Sequence, residues 1–207
     1  MLRKIPFIKP MAPTLAKILP AGPEWLHEVK FDGWRMQLHV DDDQAFLYSK
    51  NGTDYTKRFR ALQPILERLP VKNTIIDCEL VACDESGMPC FKTLMELGNK
   101  APALCLWCFD LLHLNGVRIT PLTLVERKAL LANLVLTVGD KRLQFSGDFP
   151  DPLALLRTCQ RMGLEGIVLK RKDSAYRSGP TRDWLKVKTA AWRTENRGRW
   201  ELFEKRR

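Results

Sequence analysis

The chain has 207 residues, of which 45% are hydrophobic and 28% charged. That suits one soluble domain able to bury a core without disulfide or metal staples. No run approaches the ~18 apolar residues of a membrane span, and Pro6, Pro10 and Pro13 interrupt the N-terminal stretch where a secretory leader would need an apolar core, so a monomeric cytoplasmic protein is expected. The net charge of +10 is unevenly placed: Lys170 to Arg207 holds 13 basic and 5 acidic residues. A basic C-terminal segment suits a polyanionic partner, most commonly nucleic acid.

In chain order, residues 1–24 contain five prolines and read as an extended lead-in. Strands are predicted over Trp25–Lys30, over Trp34–Val40, where apolar and polar residues alternate, and over Gln44–Ser49. The tight turn FDGW separates the first two. Phe59, Leu62, Leu66 and Leu69 are spaced for one helix face. Thr74–Ala82 and Leu104–Leu111 read as apolar strands, with a short helix over Phe91–Leu97 between them. Thr120-Pro121 and Asp151-Pro152 each resemble a capped helix start, and Gly163 suits the end of the second helix. Glu165–Lys170 and Trp184–Lys188 are late strands. Strands with interspersed helices and tight turns predict an α+β domain.

Cys105 and Cys108 form a CxxC motif within LCLWCFDLL. Residues three apart on a strand face opposite sides, which is poor geometry for one metal. Buried reduced thiols are therefore expected for Cys78, Cys83, Cys90, Cys105, Cys108 and Cys159.

Five segments carry chemistry. Lys30 ends a strand beside a glycine turn, where backbone can approach a phosphate closely. A lysine is a nucleophile only as the free amine, a form favoured by burial, neighbouring cations or a metal. Ile76-Asp77-Cys78-Glu79-Leu80 places carboxylates in an apolar strand, where an unpaired charge is costly. Phe109-Asp110 ends another such strand. Glu165 and Lys170 lie at opposite ends of a short strand, and Lys186 and Lys188 project from one strand face.

Together, EVKFDGWR, SKNG, IDCEL, WCFDLLHLNG, EGIVLKR and WLKVK resemble the motif series of the covalent nucleotidyltransferases, whose members include ATP-dependent DNA ligases, RNA ligases and capping enzymes. The series is most similar to bacterial ATP-dependent DNA ligases, especially ligase modules of the end-joining type. The resemblance spans residues 10–192. It implies an ATP-grasp-like fold of antiparallel sheets flanked by helices, an adenylation domain over 25–188 and a basic, helical segment over 189–207.

The resemblance also implies roles. Lys30 would take AMP from ATP, and Glu28 and Val29 would line the nucleotide site, with Glu28 accepting from the adenine amine. Arg35 would contact the nucleotide or a DNA phosphate, Glu79 the ribose hydroxyls, and Phe109 would stack on adenine. Glu165, with Glu79, would hold magnesium or manganese. Lys170, Lys186 and Lys188 would offset charge on the phosphates, and Lys50 would meet the DNA 5′-phosphate. Nicked or broken DNA would be the partner.

Some positions depart from the family pattern. Lys50 replaces an arginine and loses its bidentate fork. Cys78 replaces a glycine, and its side chain either crowds the ribose pocket or turns into the core. An OB-fold follows the last lysine motif in family ligases, and such a barrel needs roughly 70 residues. Only 19 residues follow Lys188, so no OB-fold is expected, and an OB-fold or end-joining partner protein becomes a candidate companion. Two other readings stay open: an adenylate- or DNA-end-binding module without turnover, and an RNA ligase.

Overall fold

The computed structural model describes residues 5–42, 44–83, 89, 94 and 103–196. Ten strands, β1 (Met11–Leu15), β2 (Trp25–Lys30), β3 (Trp34–Asp41), β4 (Gln44–Ser49), β5 (Thr74–Cys83), β6 (Ala103–Leu114), β7 (Val117–Arg118), β8 (Leu143–Phe145), β9 (Gly166–Arg171) and β10 (Gly179–Lys188), form two sheets. One has the order β1-β10-β9-β2. The other runs β4-β3-β5-β6-β7, with β8 added in parallel beside β6. The described helices are α1 (Gln63–Leu66), α2 (Leu124–Val138), α3 (Pro152–Arg161) and α4 (Ala190–Glu195). The strand-rich α+β class expected from sequence is the one observed.

Strand alternation divides the apolar side chains among three clusters. Met36, Leu38, Ile76, Cys78, Leu106 and Cys108 face α1 and α2 on the outer side of the larger sheet. Met11, Leu26, Ile75, Leu112, Tyr176 and Trp184 pack between the sheets. Ile167, Leu169 and Val187 meet Leu155 and Cys159 of α3 on the outer side of the smaller sheet. The polar members of the same strands, among them Arg35, Asp77 and Glu79, therefore fall on the face between the sheets. That placement creates a polar cleft without an irregular scaffold.

Several elements differ from expectation. The proline-rich lead-in is not merely extended: β1 pairs in parallel with β10, and Met11 is fully buried. Phe59, Leu62, Leu66 and Leu69 are all buried as one face, but the face is built from a 3-10 turn and a single α-turn with Pro64 near its start. Helix α2 begins at Thr123, not at Thr120-Pro121. Thr123 and Glu126 form a reciprocal capping box, which satisfies two N-terminal donors at once. Thr120 is instead spent in a turn, accepting from Arg118 through its hydroxyl and from Tyr176 through its carbonyl. Asp151 caps α3 as expected, accepting from Leu153 and Ala154 at 2.9 Å each. Cys105 and Cys108 are both buried because both faces of β6 are covered. The helix expected over 91–97 lies, Leu94 apart, outside the described residues, as do Cys90 and residues 197–207.

Candidate active site

The cleft between the sheets holds about 310 Å³ and is lined by Glu28, Lys30, Arg35, Lys50, Glu79, Phe109, Lys170 and Lys186, together with Val29, Ser146, Val168 and Trp184. Nine of the positions singled out from sequence, Val29 included, thus share one space. A larger cleft of about 960 Å³ lies between residues 17–21, α3 and the start of α4. Its wall is apolar with a basic rim, and apart from Lys188 it holds none of these residues.

Two glycines bring the backbone close enough to build the reactive end. At Gly33 a Cβ would sit 2.3 Å from the Leu80 carbonyl oxygen, so any side chain would push the KFDG turn away from β5. Gly166 has φ +152°, and a Cβ there would lie 2.1 Å from the Val187 carbonyl. This close contact sets β9 against both neighbours, with Gly166 opposite Lys30 on β2 and opposite Lys188 on β10. Glu165, one residue earlier, then receives both lysines: Lys30 Nζ at 2.8 Å and Lys188 Nζ at 3.0 Å. The Lys30 side chain keeps 22% of its surface exposed while that of Glu165 keeps 6%. Lys188 also lies 3.7 Å from the ring centre of Trp192 on α4, and the Trp192 indole donates to Asp32 in the KFDG turn. Burial and the nearby Lys30 and Lys188 lower the pKa of Lys186.

The other end of the cleft reads differently from the sequence expectation. Lys170 lines the cleft with Lys186, but its ammonium turns to Glu28. It is four residues along β9 from Gly166, about 13 Å at strand rise, and pairs opposite Leu26 and Trp184. There its ammonium donates to Glu28 Oε2 at 2.8 Å and sits 4.5 Å from both the Phe109 and Trp184 ring centres. Burial brings Lys170 down to about 8, with Glu28 pulling the other way. Glu28 also accepts from Lys128 through Oε1 at 2.7 Å and from the Ser146 hydroxyl through Oε2 at 2.8 Å. Burial would raise its carboxyl, but Lys128 and Lys170 outweigh burial and hold it below the usual range. Val29, between the two site residues of β2, packs its side chain with the cluster around α3.

Arg35 is a structural anchor more than an open phosphate hook. It binds Asp77 bidentately at 3.0 and 2.6 Å, donates to the Met11 carbonyl at 2.6 Å and reaches the Tyr176 hydroxyl at 3.3 Å. These bonds spend four of the five guanidinium donors. The partner, Asp77, is the costly carboxylate noted in the apolar strand. Glu79, its neighbour on the same face, is different. Burial pushes its carboxyl up to about 7, against the pull of Lys30 and Arg35 and with help from Glu165. Cys78 turns into the core, where its thiol donates to the Met36 carbonyl, so it does not crowd the cleft.

Phe109 owes its aim to a bulge. Asp77 pairs with Asp110 and Cys78 with Cys108, leaving Phe109 as the extra residue of β6. A bulge of this kind re-aims one side chain. Lys50, on the exposed turn after β4, is tied back by its backbone N–H to the Arg35 carbonyl at 3.1 Å.

Sequence reasoning missed Lys128, Ser146, Asp77 as the partner of Arg35, and Trp192. One signal was available for the first. Arg127 and Lys128 interrupt the apolar stripe Leu124, Leu131, Leu134, Val135 and Val138 of α2, and both are buried. Charges on a core-facing stripe require partners. Arg127 finds Asp110 at 2.7 and 2.9 Å, and Lys128 finds Glu28.

The family model of the ATP dependent DNA ligase domain matches residues 7–188. The multifunctional non-homologous end joining protein LigD of Pseudomonas aeruginosa is 35% identical over 190 residues, which cover 89% of this chain and 23% of that protein. A Bacillus subtilis SPbeta prophage-derived DNA ligase-like protein, LigB, is 30% identical, with 87% of this chain and 67% of that protein covered. Among solved structures, the ligase domain of Mycobacterium tuberculosis LigD superposes with a TM-score of 0.77 at 30% identity, covering 86% of this chain and 60% of the other. The chain thus spans about a quarter of the P. aeruginosa end-joining relative, 23% by length. Matched over residues 7–188, the chain belongs to the ATP-dependent DNA ligase domain family.

Proposed function

We propose that the protein is a DNA-adenylating ligase that carries AMP on Lys30 and passes it to a DNA 5′-phosphate during strand joining in repair. The observation that carries this reading is the placement of the Lys30 amine 2.8 Å from Glu165, in a cleft that Glu28, Phe109 and Lys186 also line, with Lys188 on the same carboxylate. In this reading ATP lies with adenine against Phe109 and its 6-amino group at Glu28, and the ribose hydroxyls reach Glu79. A carboxylate accepts from the adenine amine but repels the guanine carbonyl oxygen. The Lys30 ammonium first releases a proton to solvent, its free amine attacks the α-phosphorus, the N–P bond forms with loss of a second proton, and pyrophosphate departs with the electron pair of the broken P–O bond. Lys186 and Lys188 offset the charge that develops on the phosphates. Lys170 does not serve the phosphates, because it is spent on Glu28. A DNA 5′-phosphate then takes the AMP, with Lys50 at the exposed rim, and a 3′-hydroxyl displaces it.

Magnesium fits this donor set: Glu165 and Glu79 offer oxygen ligands only, and magnesium is usually held by one or two carboxylates plus substrate phosphates. The ion would draw Glu165 away from Lys30 and neutralise phosphate charge. A gel assay with labelled nicked DNA, ATP and magnesium tests the reading, because it separates adenylated protein, adenylated DNA and sealed product. All three species are expected, and Lys30→Ala removes them. DNA binding without any adenylated species would favour a binding module instead, and sealing confined to RNA nicks would favour an RNA ligase.

A further inference from the structure

We propose that Lys128 and Ser146 are positioning residues for base selection, holding the adenine-reading oxygen of Glu28 in place. This rests on the adenylation reading above and names what enforces its preference for adenine. A carboxylate offers about four lone-pair sites. Among the described residues, Glu28 Oε2 already accepts twice, from Lys170 and from the Ser146 hydroxyl, both at 2.8 Å. Oε1 accepts once, from Lys128 at 2.7 Å. The vacant acceptor site is therefore on Oε1, and it matches a single N–H of an exocyclic amine.

Lys128 closes a ring. Its ammonium also donates to the Ser146 carbonyl oxygen at 2.7 Å, while the Ser146 hydroxyl donates to the second oxygen of the same carboxylate. The ring fixes the rotation of the Glu28 carboxylate about its last bond, and so fixes the direction of the vacant site. Buried charge makes the arrangement stiff, because the Lys128 and Glu28 side chains keep 6% and 2% of their surface. Lys128 in turn is anchored by its neighbour, since Arg127 locks α2 to β6 through Asp110. Neither Lys128 nor Ser146 need touch the nucleotide. Without them the carboxylate keeps only Lys170 and turns toward it, and the amine loses its acceptor.

The test is covalent self-adenylation by the full chain with ATP, with purine riboside triphosphate, which lacks the 6-amino group, and with GTP. For Lys128→Met the apparent KM for ATP is expected to rise roughly tenfold while the saturated rate changes little, as for loss of uniform binding. The preference for ATP over purine riboside triphosphate should fall by a similar factor, and Lys128→Arg should restore most of it. Ser146→Ala, a small change just after β8 that leaves α2 untouched, should shift KM and preference in the same direction by a few fold. Unchanged KM and preference in Ser146→Ala together with either an unchanged or an unfolded Lys128→Met would overturn the proposal. Wild-type protein that takes up no label from any of the three nucleotides would instead sink the adenylation reading itself.

Discussion

At the scale of single residues, the site depends on which carboxylates are satisfied and which are not. Glu28 and Asp77 each have strong cationic donors, whereas Glu79 has none among the bonds described and is pushed up to about 7 by burial. A carboxyl raised in the folded state holds its proton up to about pH 7, while the unfolded chain loses it near the ordinary value of 4.5. Folded protein therefore binds more protons between those limits. This group's contribution to stability is fully present below the lower limit and is lost as pH rises through 7. In metal-free buffer, the melting-temperature difference between pH 8 and pH 5.5 should accordingly be less favourable to the acid side in Glu79→Gln than in wild type. Parallel profiles for the two proteins would contradict this assignment. The glycines act by absence: Gly33 and Gly166 are needed because carbonyl oxygens occupy the space of a Cβ.

At the scale of elements, α2 is the least obvious contributor. It belongs to none of the motif segments, yet it supplies Lys128 to Glu28 of β2 and Arg127 to Asp110 of β6. The Arg127–Asp110 pair keeps 0% side-chain exposure on either side. Removing one partner of such a pair costs about 3–5 kcal/mol, because the other charge stays buried. Arg127→Met should lose that much in denaturant unfolding, and the double variant with Asp110→Asn should recover part of it. A loss under about 1 kcal/mol in the single variant would mean the pair is not what seats the helix. The strands were legible because alternation and β-branched runs are local signals, and Trp25–Lys30 and Gln44–Ser49 match the sequence expectation residue for residue. The start of α2 was misplaced because two cap signals lie three residues apart, and the reciprocal Thr123–Glu126 bonds win. The bulge that aims Phe109 has no local signature, since it exists only as a register shift between β5 and β6.

For the whole molecule, two sheets pack through an apolar cluster at one part of their interface and leave a charged cleft at another. The sequence pointed to nearly every wall of that cleft through the motif series, but not to its internal wiring. Lys170 was grouped with Lys186 and Lys188 through the motif series, yet its ammonium is held by Glu28, and Arg35, expected at the nucleotide or a DNA phosphate, is held by Asp77. Pairings of this kind join residues 42 to 142 positions apart, and periodicity cannot reveal them. Of the 13 Lys and Arg from Lys170 onward, Arg182, Lys186 and Lys188 lie on β10 and Arg193 on α4, a basic set that suits a polyanionic partner.

The most direct test of the central claim is intact-protein mass spectrometry after incubation with ATP and magnesium, followed by peptide mapping. The account predicts a mass increase of one adenylate, located on Lys30, released by added pyrophosphate and absent from Lys30→Ala. An unmodified protein under these conditions, or an adenylate that persists in Lys30→Ala, would contradict it.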